Sequence, residues 1–222
     1  MNGAVAREDS HAAVLRDVVA AVPDLLLAGT FLVTWVAPYT FGDLTVKRLL
    51  LLMLLEFIVV HSAGFMGAAA ISDLPKAKIV GAMLGLGLLY SLFAGAFSLA
   101  FSSWWPLAAF WGLMANRLLG VLVGQPAEGR EREFVMASWA AGAGAYLLSV
   151  FATVFTPVPR LGITPAVVST LSLPGSGLWI EEPHRVVASG VIYFALVGLW
   201  ELLGRRHRAS IALRTASVAR RP

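Results

Sequence analysis

Cysteine is absent from this chain, which excludes disulfides and thiolate metal sites. Charge is also scarce. Only 14% of the residues are Asp, Glu, Lys or Arg, against roughly 25% in a soluble domain. That is too little to coat a water-facing surface, and no polar stretch is long enough to form a separate soluble domain. The common catalytic signatures are missing too. There is no glycine-rich phosphate loop ending in Lys-Ser or Lys-Thr, no HExxH and no GxSxG. Histidine occurs only at His11, His61, His184 and His207, and only His61 lies deep in an apolar run. Bis-imidazole haem held within one chain needs two such histidines. No metal site and no cofactor can be named from the sequence.

What the chain does have is hydrophobic length. It holds 222 residues, 58% of them hydrophobic. A helix needs about 20 mostly apolar residues to cross a bilayer. Six segments meet that rule, at 19–39, 48–70, 79–101, 104–124, 134–156 and 184–204. The expected class is an all-α, polytopic integral membrane protein with six transmembrane helices. Pro106 and Pro183 suit the first turns of spans four and six. Residues 1–18 read as a cytoplasmic amphipathic segment, with Val14, Leu15, Val18, Val19 and Val22 at helical spacing and Asp9 or Ser10 as cap. They do not read as a cleavable signal peptide, because acids interrupt the basic start. Residues 205–222 read as a basic, disordered or surface-lying tail attracted to anionic lipid.

Orientation follows from Lys and Arg. With both termini in the cytoplasm, the inner segments hold Arg7, Arg16, Lys76, Lys78, Arg130, Arg132 and six arginines beyond residue 204. The outer segments hold only Lys47, Arg48, Arg160 and Arg185. Twelve against four favours N-in/C-in, in a bacterial-type plasma (inner) membrane. Trp35, Trp104, Trp105 and Trp179 then mark outer ends, with Trp139 and Trp200 towards inner ends, as interfacial anchors. The net charge of +4 fits this orientation better than a nucleic-acid surface.

The outer loop between spans five and six, 157–183, is far longer than the others and too apolar for simple disorder. Thr164-Pro165 marks a helix start, and Pro174-Gly175 ends about two turns, giving a short helix over 164–173. An interfacial lid is favoured over a re-entrant element on that length. Glu181, Glu182 and His184 fall at the outer mouth, where they either concentrate cations or form the solvated start of span six. The second reading is favoured.

Two spans carry ionisable groups. Projected at about 100° per residue, span two shows a small face with Met53, Glu56, Phe57, Val60, His61, Ala63, Gly64, Gly67 and Ala68. Its other face carries Leu52, Leu54, Leu55, Ile58, Val59, Ser62, Phe65 and Met66. Span four places Ala109, Gly112, Asn116, Arg117, Gly120 and Gly124 opposite Phe110, Trp111, Met114, Leu118 and Val121. Small faces pack on protein in lipid, so Glu56, His61, Asn116 and Arg117 are expected to face inward. Arg117 is the one deep cation, against Asp24, Glu56 and Glu201, and an ion pair with Glu56 is the plain structural reading. Gly81/Gly85 and Ala137/Ala141/Ala145 repeat small-residue spacing, which packs helices within a chain or between copies.

One pattern invites comparison. Phe57 to His61 reads FxxxH and Glu181 to Arg185 reads EExxR. This faintly resembles the intramembrane glutamate proteases of the CAAX-processing type, but the spacing is one short and the order reversed, so the resemblance is rejected.

The expected function is transport or conduction of a small ion, proton or solute along Glu56, His61, Asn116 and Arg117. Alternatives are an intramembrane enzyme using Glu56 and His61, or a non-catalytic subunit of a larger membrane complex. No catalytic residue is named. The expected partners are the lipid bilayer and a second copy or a membrane-complex subunit, with no nucleic acid.

Overall fold

Each long apolar run becomes one helix. In the computed structural model, residues 2–123 and 130–219 are described, with side chains described over 18–123, at 133 and over 136–203. The described residues form α1 (Asn2–Val36), α2 (Thr45–Ala70), α3 (Lys76–Ala100), α4 (Trp105–Val123), α5 (Arg130–Phe155), α6 (Pro165–Thr170), α7 (Leu178–Glu181) and α8 (Pro183–Ala219). Among them six helices are long and apolar enough to cross a membrane: Val18–Val36 within α1, α2, α3, α4, Met136–Phe155 within α5 and Pro183–Leu203 within α8. This is the composition of a multi-pass membrane protein.

Local chemistry sets the helix ends. Pro106 is the second residue of α4 and Pro183 the first of α8, where a missing N–H costs nothing. The hydroxyl of Thr164 accepts from the Val167 amide at 3.4 Å and caps α6, with Pro165 next. Leu161 and Ser172, which bracket that turn, both take φ of 47°. Ser102 takes φ of 51° immediately after α3, stopping that helix and folding the chain back into α4.

Several boundaries differ from expectation. The amphipathic N-terminal segment is not capped at Asp9 or Ser10; α1 runs unbroken from Asn2, and the side chains of its first residues lie outside those described. The basic tail continues α8 as helix to Ala219 rather than leaving the helix, while its side chains and residues 220–222 lie outside the described residues. The loop helix is six residues rather than two full turns, and α7 follows it unforeseen.

α2 is the hub of the bundle. One hydrophobic cluster joins it to α1, α5, α8 and the loop through Phe31, Leu50, Met53, Tyr146, Ile163 and Phe194. A second joins it to α3 and α4 through Leu55, Ile58, Met66, Met83, Phe110 and Met114. The closest pairing is α1 on α8. A side chain at Gly190 would overlap the Phe31 ring, and one at Gly198 would press on Leu25. These glycines let α1 and α8 approach. Gly81 and Gly85, by contrast, have open space beside them. At the α2–α5 contact, a Cβ on Gly64 would lie 2.5 Å from the Trp139 indole, whose Nε1 donates to the Val60 carbonyl at 3.0 Å. Trp139 thus joins two helices. Trp35 ties α1 to the α5–α8 connection through the Pro159 carbonyl at 2.9 Å.

Candidate functional site

Glu56 stands a little under halfway along α2, where the helix passes α5 and α8. Its carboxylate accepts a hydrogen bond of 2.6 Å from the Tyr193 hydroxyl on α8. Tyr146, from α5, closes the other side: its hydroxyl donates to the Met53 carbonyl at 2.9 Å, and its ring meets Tyr193 edge-on at 5.4 Å. At about 1.5 Å per residue, Glu56, Tyr146 and Tyr193 all lie roughly 14–17 Å from the bundle end that carries α6 and α7. That is mid-depth for a hydrocarbon core about 30 Å thick.

Polar groups continue in both directions along the α5–α8 and α1–α8 seams. Towards the loop end, the Ser149 and Ser189 hydroxyls meet at 3.0 Å, and Thr153 donates to the Ser149 carbonyl at 3.0 Å. Arg185 then donates to the Thr153 and Thr156 carbonyls. It also pairs with Glu182, which Arg160 reaches at 3.0 Å. The Arg185 hydrogen bond is the main reason the Glu182 carboxyl is held below its ordinary value, with the nearby cations adding to it. Towards the other end, Asp24 on α1 interacts electrostatically with Glu56 and with Glu201 on α8. Among the described residues, one carboxylate oxygen of Glu201 is buried with no hydrogen-bond partner.

The expected residues separate. Glu56 faces the interior as expected, but Tyr193, not a cation, holds it. Arg117 turns to a different part of α2 and donates weakly to Ser62 and Met66, both at 3.5 Å. It interacts with Glu56 electrostatically, yet among the described residues no carboxylate lies within 4.0 Å of it. The Glu56–Arg117 ion pair is therefore not formed. His61 and Asn116 do not face inward; both are exposed, and His61 packs against Phe57 with ring centroids 4.4 Å apart. The reason is the central position of α2. Ile58, Ser62 and Met66 are buried against α3 and α4 while Glu56 meets α8, so Phe57, His61 and Phe65 are left on the open strip between. On α4 the bulky Phe110 and Met114 fill the core, and Gly112, Asn116 and Gly120 face out.

At the mouth, Glu181 is exposed and its carboxylate accepts from the Gly177 amide. Glu182 is ion-paired. His184 is not the solvated start of a span: it is 2% exposed, and among the described residues its Nδ1 has no hydrogen-bond partner. Tyr146, Ser149, Thr153, Ser189 and Tyr193 were not singled out from the sequence. Their spacing held the signal: Tyr146, Ser149 and Thr153 recur at three and four residues, as do Ser189 and Tyr193 at four. Among the described residues no group of three His, Cys, Asp or Glu is placed to hold a metal.

No family model matches the chain, no curated protein matches its sequence, and no solved structure matches its fold.

Proposed function

We propose that this protein conducts protons across the membrane, with Glu56 as the central relay group. The observation that carries this reading is a carboxylate at mid-depth held by a tyrosine hydroxyl and, among the described residues, lacking a contact ion pair. An intramembrane carboxylate of this kind gains or loses a proton at modest cost compared with one locked to arginine, and such groups mark ion and proton pathways. Asp24 and Glu201 continue the acidic line on one side, and the Ser149, Ser189 and Thr153 hydroxyls on the other. Arg117 sets the local field from a distance. His61 and Asn116 lie on outward faces and take no part in this path. Glu182, with Arg160 and Arg185, forms the charged mouth.

We infer the N-in/C-in orientation in a plasma membrane from the Lys and Arg distribution. On that orientation the mouth opens outward, and Asp24 and Glu201 lie towards the cytoplasm. The test is flux in proteoliposomes whose orientation is fixed by impermeant labelling of a cysteine placed at exposed Ser169. Glu56→Gln keeps an acceptor for Tyr193 but cannot carry the proton. It should abolish flux while leaving the protein folded. Flux equal to that of the unsubstituted protein would refute the proposal.

A further inference from the structure

Two neighbouring depressions lie at the bundle end that carries α6 and α7, and they differ in chemistry. One, of about 290 Å³, sits between the starts of α2 and α4 and is lined by Lys47, Arg48, Ser102, Ser103, Phe101 and Trp105. The other, of about 420 Å³, is an apolar groove lined by Leu50, Leu54, Phe97, Phe101, Val154 and Trp179, under the α7 segment. Phe101 borders both. We propose that the two together bind one anionic phospholipid, with its phosphate between Lys47 and Arg48 and one acyl chain along the groove.

Four observations converge. First, the two cations lack acidic partners. Among the described residues neither Lys47 nor Arg48 has a carboxylate within 4.0 Å, and Lys47 instead lies 5.8 Å from the centre of the Phe101 ring. Asp43, one turn before Lys47, is exposed and does not line the depression. Second, Ser102 and Ser103 add hydroxyl donors. The left-handed backbone of Ser102, with φ of 51°, places that turn beside the first residues of α4. Third, the depth is right for a headgroup: Lys47 is the third residue of α2 and Trp105 the first of α4, so the cations sit where a span meets the interface. Fourth, the apolar groove runs from the shared Phe101 wall along Leu50 and Leu54, one turn apart on α2. A soluble phosphate fits the basic depression alone. A phospholipid fits both, its acidic headgroup held by the two cations and its chain by the apolar walls.

The experiment uses the full chain, purified in detergent and stripped of lipid, with thermal stability read against added ligand. The probes are phosphatidylglycerol, phosphatidylcholine with the same acyl chains, and inorganic phosphate. Phosphatidylglycerol should raise the midpoint by several degrees, with apparent affinity about tenfold or more above phosphatidylcholine. Lys47→Gln/Arg48→Gln should remove that preference, and Leu54→Phe, which narrows the groove, should weaken the lipid alone. Should the double variant not fold, the single variants each report on one cation, since Arg48 is exposed and Lys47 half-buried. An unchanged preference in the cation variants overturns the proposal. So does equal binding of the two lipids. Inorganic phosphate reproducing the full effect, with Leu54→Phe silent, overturns the lipid assignment in favour of a soluble anion.

Discussion

Replacing Tyr193 by Phe removes one hydroxyl from the middle of the bundle and leaves the Glu56 carboxyl without its hydrogen bond. The cost depends on the charge that Glu56 carries. A side-chain hydrogen bond between neutral groups inside a membrane bundle averages about 0.6 kcal/mol and reaches about 1.7. A hydrogen bond to an ionised group contributes about 1.5–3 kcal/mol. The observed 2.6 Å separation lies in the range of short O–H to carboxylate contacts. If Glu56 exchanges a proton, the cost of Tyr193→Phe should therefore grow with pH, from about 0.6 kcal/mol for the acid towards about 1.5–3 kcal/mol for the carboxylate. In a Glu56→Gln background the same substitution should cost a constant, small amount, because Gln accepts the bond but does not titrate. The assay is reversible unfolding in mixed micelles for the four proteins of the cycle over a pH series, which isolates the coupling between the two positions. A coupling that is zero, or that does not change with pH, refutes the reasoning.

Two further predictions concern the frame around this pair. Gly190→Ala forces a methyl into the Phe31 ring at the α1–α8 contact and should cost about 1–3 kcal/mol in the same unfolding assay, with Phe31→Leu recovering part of it. At the mouth, the Glu182 carboxyl is held below its ordinary 4.5, so its ion pairs should stabilise fully above that pH and weaken as pH falls through the lower folded value. The difference in melting temperature between the protein and Glu182→Gln should be constant above the ordinary carboxylate range and shrink below it; a difference that grows on acidification would contradict the assignment.

Much of the fold is legible in the sequence because the relevant forces are local or additive. Hydropathy sums over a window, so the six long apolar helices appear where expected, offset by a few residues. Pro106, Pro183 and Thr164-Pro165 act on their own helices, and each lies at the helix start that its chemistry favours. Facing is different, since it depends on which helices surround a given one. The residue pattern of span two predicts one protein face and one lipid face. The helix is buried on two sides instead, so Ile58 and Met66 are core and His61 is exposed. The small residues on α4 look outward because Phe110 and Met114 fill the gap to α2 and α3. The glycines that carry the tightest helix contact, Gly190 and Gly198, stand far apart and form no short motif. The interior position of Glu56 is legible from its face of the helix, but its partner is not, because a hydroxyl 137 residues away leaves no trace in local charge counting.

The central claim is that Glu56 moves protons rather than only joining α2 to α8. Its most direct measurement is proton flux in oriented proteoliposomes, driven by an imposed potassium diffusion potential, comparing the protein with Glu56→Gln at matched folding stability. The account predicts flux in the first and none in the second. Equal flux in both, or no flux in either under a potential that drives a control ionophore, would contradict it.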